Sequence, residues 1–557
     1  MSQERECVWI NTATRAAGST FYLFYSNYSS QNITWKAKLT PIQVEPFVQP
    51  TGPRVDIPSL AKEIFFLFFT SSVLEHIVEQ SNKYAAECMG EQFQTWQPIT
   101  VEELCAYFGF MILMGIVRLP GLGDYWKKDM IYHYPPVAER ISRDRFYDLH
   151  RYLHFVDNST VSPPHTPGYN KLGKIEPIIT MLRNRFAHVW NPGKNISIDE
   201  AMIPFKGRSS LKQYMPMKPI KRGIKVWARA DANNGYISAF EVYTGRKGNT
   251  TEKGLGAMVV KGLTEQLHGT YRHVFYDNFF SSVDLALDLL RAGLYSCGTL
   301  RSNRKGFPAL LKPIVKKGLH TRGSSKTYQN GNLTVTVWQD NRPVTLISTN
   351  SDPTTISSVV RKNRDGTTAT YSCPDSLALY NQNMGGVDRN DQLRGYYHVR
   401  YKCRKSYKYV FWFLLDLAIT NAYVLSKFNP DNRMKNVKDF RASLAKELIG
   451  TYFSKKRAGR PSIGPPTLRF CQHHFPMRVE KSSHRCHYCH NYRKRRRETA
   501  WRCNECQLYL CHTGQQASDC FRIYHTRHVD GPASNHWTIM LTIMCQQAAY
   551  ASLLLAI

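Results

Sequence analysis

Asn195-Ile-Ser-Ile-Asp-Glu-Ala-Met-Ile203 is an apolar, β-branched run with Asp199 at its centre. The run reads as a buried strand. An ionised carboxylate inside such a strand is costly without a partner, so Asp199 is a candidate for chemistry. Outward from it the short period continues in Ile224-Lys-Val-Trp-Ala-Arg229 and Tyr236-Ile-Ser-Ala-Phe-Glu-Val-Tyr243, with a turn at Asn233-Asn-Gly235. A helix is expected from Gly254 to Leu267, then the strand His273-Val-Phe-Tyr-Asp277 and the helix Ser282–Ala292. Three strands, a helix, a strand and a helix describe a mixed α/β core beginning over 191–297.

Residues 298–375 hold short strands such as Leu333-Thr-Val-Thr-Val-Trp338 and Val344-Thr-Leu-Ile-Ser348 among basic turns, which predicts a β-rich insertion. Over 376–450 the core is expected to resume, with helical character after Gly386 and over Tyr409–Phe428. Upstream, Ser59–Glu79, Val101–Val117 and Ser142–Phe155 carry apolar residues at helical spacing, so 56–190 reads as a helical domain behind a poorly ordered leader over 1–55. The run Ile64–Phe69 is far short of the roughly 20 residues a membrane span needs and is expected to be a buried helix face.

With 557 residues the chain is too long for one core. Lys and Arg outnumber Asp and Glu by 74 to 42, and the formal charge of +32 favours a polyanionic partner, nucleic acid first. No apolar signal stretch follows Met1, so secretion is not expected. Of 14 cysteines, Cys486, Cys489, Cys503, Cys506, Cys511 and Cys520 crowd into one window, a pattern of metal and a reducing compartment rather than disulfides. The pairs Cys486-x-x-Cys489 and Cys503-x-x-Cys506 are spaced as in zinc ribbons. With His525 the window offers seven ligands, and His512, His528 and His474 compete for an eighth. A single zinc on the four CxxC cysteines is the simpler alternative. The module spans 484–528, behind a basic linker over 451–483. Between its CxxC pairs, Arg493, Lys494, Arg495, Arg496 and Arg497 lie near Tyr488, Tyr492 and Trp501, which suits phosphate and base contacts or nuclear import better than a ubiquitin-ligase RING.

Two further acids invite a chemical reading. Asp277 ends its strand before the turn Asn278-Phe-Phe-Ser-Ser282, and Asp388 follows Gly385-Gly386 at a helix start, with Asp391 one turn on. Singly, each has an ordinary role as a strand-end partner, a turn cap or an N-cap. Converging, Asp199, Asp277 and Asp388 could hold two Mg²⁺ for phosphoryl transfer. Nearby basic candidates for DNA contact are Arg301, Arg304 and Lys305, and Arg400, Lys402, Arg404 and Lys405. Trp338 could stack on a flipped base, although a buried strand aromatic is commoner.

Several stretches, in order, resemble the piggyBac family of DNA transposases and proteins derived from them: Met114-Gly-Ile-Val-Arg-Leu-Pro120, Asp124-Tyr-Trp126, Arg151-Tyr-Leu-His-Phe155, Asp199-Glu-Ala-Met202, Lys218-Pro-Ile-Lys221, Tyr276-Asp-Asn-Phe-Phe280, Gly298–Gly306 and Gly385-Gly-Val-Asp388. The resemblance implies a ribonuclease H-like core interrupted by an insertion and flanked by helical DNA-binding and dimerisation parts. It implies catalytic Asp199, Asp277 and Asp388, supported by Asp391. It also implies a homodimer in the nucleus that cuts and pastes double-stranded DNA at TTAA sites, with no small-molecule substrate. Cys520-Phe-Arg-Ile-Tyr-His525 resembles the family's ending, which favours two structural zincs. A catalytically silent DNA- or chromatin-binding descendant is the alternative. Met1–Gln43 and the charge-free run Trp537–Ile557 depart from the family. The latter, interrupted by Gln546 and Gln547, is expected to be an atypical tail over 529–557 rather than a membrane anchor.

Overall fold

The computed structural model describes residues 33–454, except 217, 219, 246–253, 364, 400–402 and 433, and residues 474–526, except 481–482 and 514–518. The first 32 residues, Arg400, Lys402, most of the basic linker, His528 and the apolar tail over 529–557 lie outside the described residues. The chain divides into two compact units, Met1–Lys455 and Lys456–Ile557.

In the first unit a nine-stranded sheet contains β1 (Asn195–Pro204), β2 (Lys212–Tyr214), β3 (Arg222–Asp231), β4 (Ile237–Val242), β5 (His273–Tyr276), β6 (Tyr295–Thr299), β7 (Ser325–Asn330), β8 (Leu333–Gln339) and β9 (Pro343–Ser348). Their order is β2-β3-β1-β5-β6-β9-β8-β7, and β4 shares the outer edge of β3 with β2. β3 runs antiparallel to β1 and β4, whereas β1, β5 and β6 are mutually parallel. β1 is buried along nearly its whole length, so its polar residues Ser197, Asp199 and Glu200 are buried together with its apolar ones.

The stretch expected to form a β-rich insertion divides in two. β7, β8 and β9 extend the main sheet from β6, with Leu346 opposite Thr299. β10 (Ile356–Lys362) and β11 (Thr368–Pro374) instead make a separate two-stranded ribbon. Trp338 of β8 is fully buried and donates to the Ser372 carbonyl at 2.8 Å, which leaves its ring no free face for a base.

The helices of the first unit include α1 (Ala61–Phe66), α2 (Ser71–Met89), α3 (Val101–Ile116), α4 (Arg143–Tyr152), α5 (Glu176–Val189), α6 (Leu255–Thr264), α7 (Val283–Arg291), α8 (Asp375–Asn383), α9 (Gly386–Tyr396), α10 (Ser406–Ser426) and α11 (Val437–Ile449). Thr100 caps α3 by accepting from Glu103 N at 3.2 Å, and Ser282 caps α7 by accepting from Leu285 N at 3.1 Å. Ile64, Phe65, Phe68 and Phe69 are buried, as the run at 64–69 predicts. α10 is long and apolar enough to cross a bilayer, but 94% of its apolar window is buried inside the unit, so it is a core helix.

Side-chain alternation assigns the faces of β1. Ile196 and Ile198 pack with Val259, Val260 and Leu263 of α6 and Leu285 and Leu289 of α7. Ala201 and Ile203 join the large core of α3, α5, α10 and α11 on the other side. Ser197 and Asp199 share the parity of Ala201 and therefore face that second side. α9 packs there, with Gly386 against Ser197: a Cβ at Gly386 would lie 2.3 Å from Ser197 Oγ and 3.0 Å from the Asp231 carbonyl. Gly386 is thus required by close approach of helix to sheet. Gly385 has φ −80° and open space around it. Gly386→Ala should lower unfolding stability by about 1–3 kcal/mol through overpacking, while Gly385→Ala should change it by less than about 0.5 kcal/mol; denaturant titration of the two variants checks the contrast.

Candidate active site and metal centre

Parallel pairing of β1 with β5 sets Ile198 beside Tyr276. The residues that directly follow this last pair are Asp199 and Asp277. β5 stops at Tyr276 while β1 runs on to Pro204, so the two acids lie where β1 loses its parallel neighbour. Carboxyl ends of parallel strands are where α/β sheets place their ligands. Asp277 also caps its turn: Oδ1 accepts from Phe279 N at 2.8 Å and its carbonyl accepts from Ser281 Oγ at 3.0 Å.

Asp199 is 8% exposed, and its Oδ1 accepts from Glu200 N at 2.8 Å. Burial raises its pKa to about 7, against the opposing pull of Lys218. Burial raises Asp277 as well. Lys218 Nζ lies 3.8 Å from Asp199 Oδ1 and 3.8 Å from Glu200 Oε2. Desolvation works to lower the pKa of this lysine, but the carboxylates of Asp199, Glu200, Asp388 and Asp277 together hold it above its usual value. All four acids therefore act electrostatically on one ammonium group, and two of them, Asp199 and Glu200, lie within 4 Å of it.

Asp388 is exposed in the first turn of α9. Asp391 turns to Arg394, whose Nη2 donates to its Oδ1 at 2.7 Å. Glu200 is a buried acid beside the candidate site that the sequence alone did not single out. It is buried and paired with Lys225 at 2.5 Å, and the Lys225 ammonium stands 4.4 Å from the centroid of Phe279, in the turn that carries Asp277. A second acid inside an apolar strand, with a lysine in an equally apolar neighbour, was the available signal. Among the described residues, clusters of three or more His, Cys, Asp or Glu with ligand atoms within 4.8 Å of one another occur in the second unit alone. The three aspartates stand farther apart, with Lys218 facing them. Their oxygen donors suit a hard divalent cation, and the acidic excess around Lys218 calls for one.

The basic candidates divide by what they touch. Arg301 Nε donates to Asn278 Oδ1 at 2.9 Å, and Arg304 Nη2 donates to the Asn278 and Phe279 carbonyls at 3.0 and 3.1 Å, so both brace the turn after Asp277. Lys405 donates to Tyr84 Oη at 2.6 Å. Lys305 and Arg404 are exposed, as are all five residues Arg493–Arg497.

In the second unit eight ligands form two groups of four: Cys486, Cys489, Cys511 and Cys520, and His474, Cys503, Cys506 and His525. The groups alternate along the chain, as an interleaved cross-brace requires. Their spacing fits tetrahedral coordination: Cys489 Sγ to Cys520 Sγ is 3.5 Å, His474 Nδ1 to Cys503 Sγ is 3.1 Å, and Cys506 Sγ to His525 Nε2 is 3.3 Å. Among the three histidines in competition, His474 joins a group. His512 instead pairs with Asp519 at 2.7 Å.

Residues 61–423 match the family described as Transposase IS4. PiggyBac transposable element-derived protein 3 of Homo sapiens is 29% identical over 482 residues, covering 83% of this chain and 78% of the relative. PiggyBac transposable element-derived protein 2 of Homo sapiens is 28% identical over 444 residues, covering 77% and 72%. A cryo-EM structure of a piggyBac transposase synaptic complex with hairpin DNA aligns at TM-score 0.64 and 22% identity over 83% of this chain and 98% of that one, which establishes a shared fold.

Because burial raises Asp199, the folded chain keeps a proton that the unfolded chain has released between about pH 4 and pH 7. Without Mg²⁺, stability should fall as pH rises through that window. Asp199→Asn should therefore melt higher than the wild type at pH 8, with the gap closing toward pH 5, as followed by thermal unfolding in Mg²⁺-free buffer.

Proposed function

From a chain that belongs to the piggyBac-type transposases, we propose a metal-dependent DNA strand transferase that cuts and pastes DNA at TTAA sites, with Asp199, Asp277 and Asp388 as Mg²⁺ ligands. The observation that carries this reading is that Asp199 and Asp277 directly follow the last paired residues of β1 and β5, while α9, which carries Asp388, packs against the same face of β1 as Asp199. The strand order β4-β3-β1-β5-β6, antiparallel in its first three members and parallel in its last three, supports a ribonuclease H-like core.

Two bound Mg²⁺ would stabilise the attacking and leaving oxygens of an in-line phosphoryl displacement. The chain's own part is to aim oxygen ligands from rigid elements. Asp199 is fixed by its strand and Asp277 by its capped turn. Asp388 is presented by a helix start, where backbone N–H groups favour its charge. Exposed Lys305, Arg404 and Arg493–Arg497 would meet DNA phosphates and set register without reading sequence. The pentad also suits nuclear import, and we place the protein in the nucleus as a homodimer on double-stranded DNA. The cysteine-rich unit would hold two structural Zn²⁺, since four-ligand sites rich in thiolate leave no position for water.

The Asp391–Arg394 pair favours a second reading, a DNA-binding descendant that no longer cuts, because it holds the supporting acid away from metal.

Supplied with terminal repeats from the flanks of its own gene, the wild type should nick TTAA-flanked DNA in Mg²⁺, and Asp277→Asn should lose at least about a hundredfold in rate. Binding of the ends without nicking by the wild type would sink the enzymatic reading in favour of the second. Elemental analysis should find two zincs per chain, falling by one in His474→Ala.

A further inference from the structure

Lys218 occupies the loop between β2 and β3, and the function proposed above gives it no task. Asp199 faces the α9 side of β1, and Glu200, next in the strand, belongs by alternation to the α6–α7 side. One ammonium group nonetheless lies 3.8 Å from a carboxylate oxygen of each. It can do so because β1 has no β5 partner beyond Ile198, so its edge is open there. Glu200 also has Lys225 at 2.5 Å, so Lys218 is the second cation for Glu200, whereas Asp199 has no other ion pair among the described residues. Lys218 and an entering divalent cation would therefore compete for the charge of one carboxylate, Asp199, whose Oδ1 already accepts from Glu200 N.

We infer that Lys218 is a tethered counter-ion of the acidic cluster: it holds Asp199 and Glu200 together while no metal is bound and yields Asp199 to an entering divalent cation. Lys218 is a positioning residue, and its effect is to weaken metal binding and so raise the ion concentration at which the site loads. The inference rests on the reading of Asp199 and Asp277 as metal ligands. It adds a competition within the chain for one of their carboxylates and couples loading to displacement of the Lys218 ammonium group.

The test is Mn²⁺ binding to the full-length protein, dialysed free of Mg²⁺ without chelator so that the cysteine-rich unit keeps its metal, with free Mn²⁺ read by electron paramagnetic resonance. Wild type should bind Mn²⁺ at a site lost in Asp277→Asn. Lys218→Met should bind about tenfold more tightly, because a positive charge roughly 4 Å away no longer opposes a divalent ion. The same variant should melt lower than the wild type without metal and gain more on adding Mn²⁺. Lys218→Arg, which keeps the charge, should retain wild-type affinity, and Lys218→Gln replaces Lys218→Met if that variant fails to fold. Unchanged or weaker Mn²⁺ binding in the neutral variants overturns the counter-ion role and leaves the metal site standing. Absence of any Asp277-dependent binding in the wild type overturns both.

Discussion

The first unit depends on one register: Ile198 of β1 beside Tyr276 of β5, with β5 ending there. The residues that directly follow this pair are two carboxylates, Asp199 and Asp277, at the end of a parallel strand, where burial disfavours their charge. Like charges held this way repel, and the surrounding structure answers that repulsion. Lys218 faces the cluster, Lys225 neutralises Glu200, and Arg304 ties down the turn behind Asp277. Close approach of α9 to β1 requires the glycine at Gly386, which rests on Ser197, two residues before Asp199.

The chain's large positive charge is of two kinds. Part of it is structural: the Arg301 and Arg304 side chains bond to the Asn278-Phe279 turn, and Lys408 is buried with its ammonium on the His150 and Arg151 carbonyls at 2.9 and 3.0 Å. Such groups are already committed to the fold and have fewer donors left for a polyanion. The remainder is outward, as in Arg493–Arg497, where no burial opposes contact with phosphate. A net charge read from composition merges the two, so the surface available to nucleic acid is smaller than +32 suggests.

Much of this was legible in the sequence, and the misses share a cause. Strands around Asp199 and Asp277 announce themselves by local apolar runs, and Asp199 stands out because an acid in such a run is anomalous. α5 and α11 went unread, since Glu176–Val189 and Val437–Ile449 mix polar residues into faces that only the completed core defines. Gly385 and Gly386 look alike in sequence, but what separates them is Ser197, nearly two hundred residues away. The place of β7–β9 in the main sheet and the choice of His474 over His512 depend likewise on pairings between distant segments. Glu200 was hidden by its neighbour: with Asp199 as the anomaly, the adjacent acid drew no separate account.

The two units solve opposite problems with ionisable side chains. In the second, the buried residues around Cys486, Cys489, Cys503, Cys511 and Cys520 include few apolar side chains, chiefly Leu510, Phe521 and Tyr524. So small a core leaves cohesion to the thiolates and histidines once they share metal. Their closed ligand sets would make a bound metal part of the fold. In the first, α3, α10 and the sheet bury an extensive apolar core without any ion, and the acids sit at its rim with Lys218 already in contact. The cohesion of such a core does not rest on those acids. On the function proposed, an exchangeable ion would serve the acids at the rim and a permanent one the small cysteine-rich unit. The distinction follows from how much apolar surface each unit can bury.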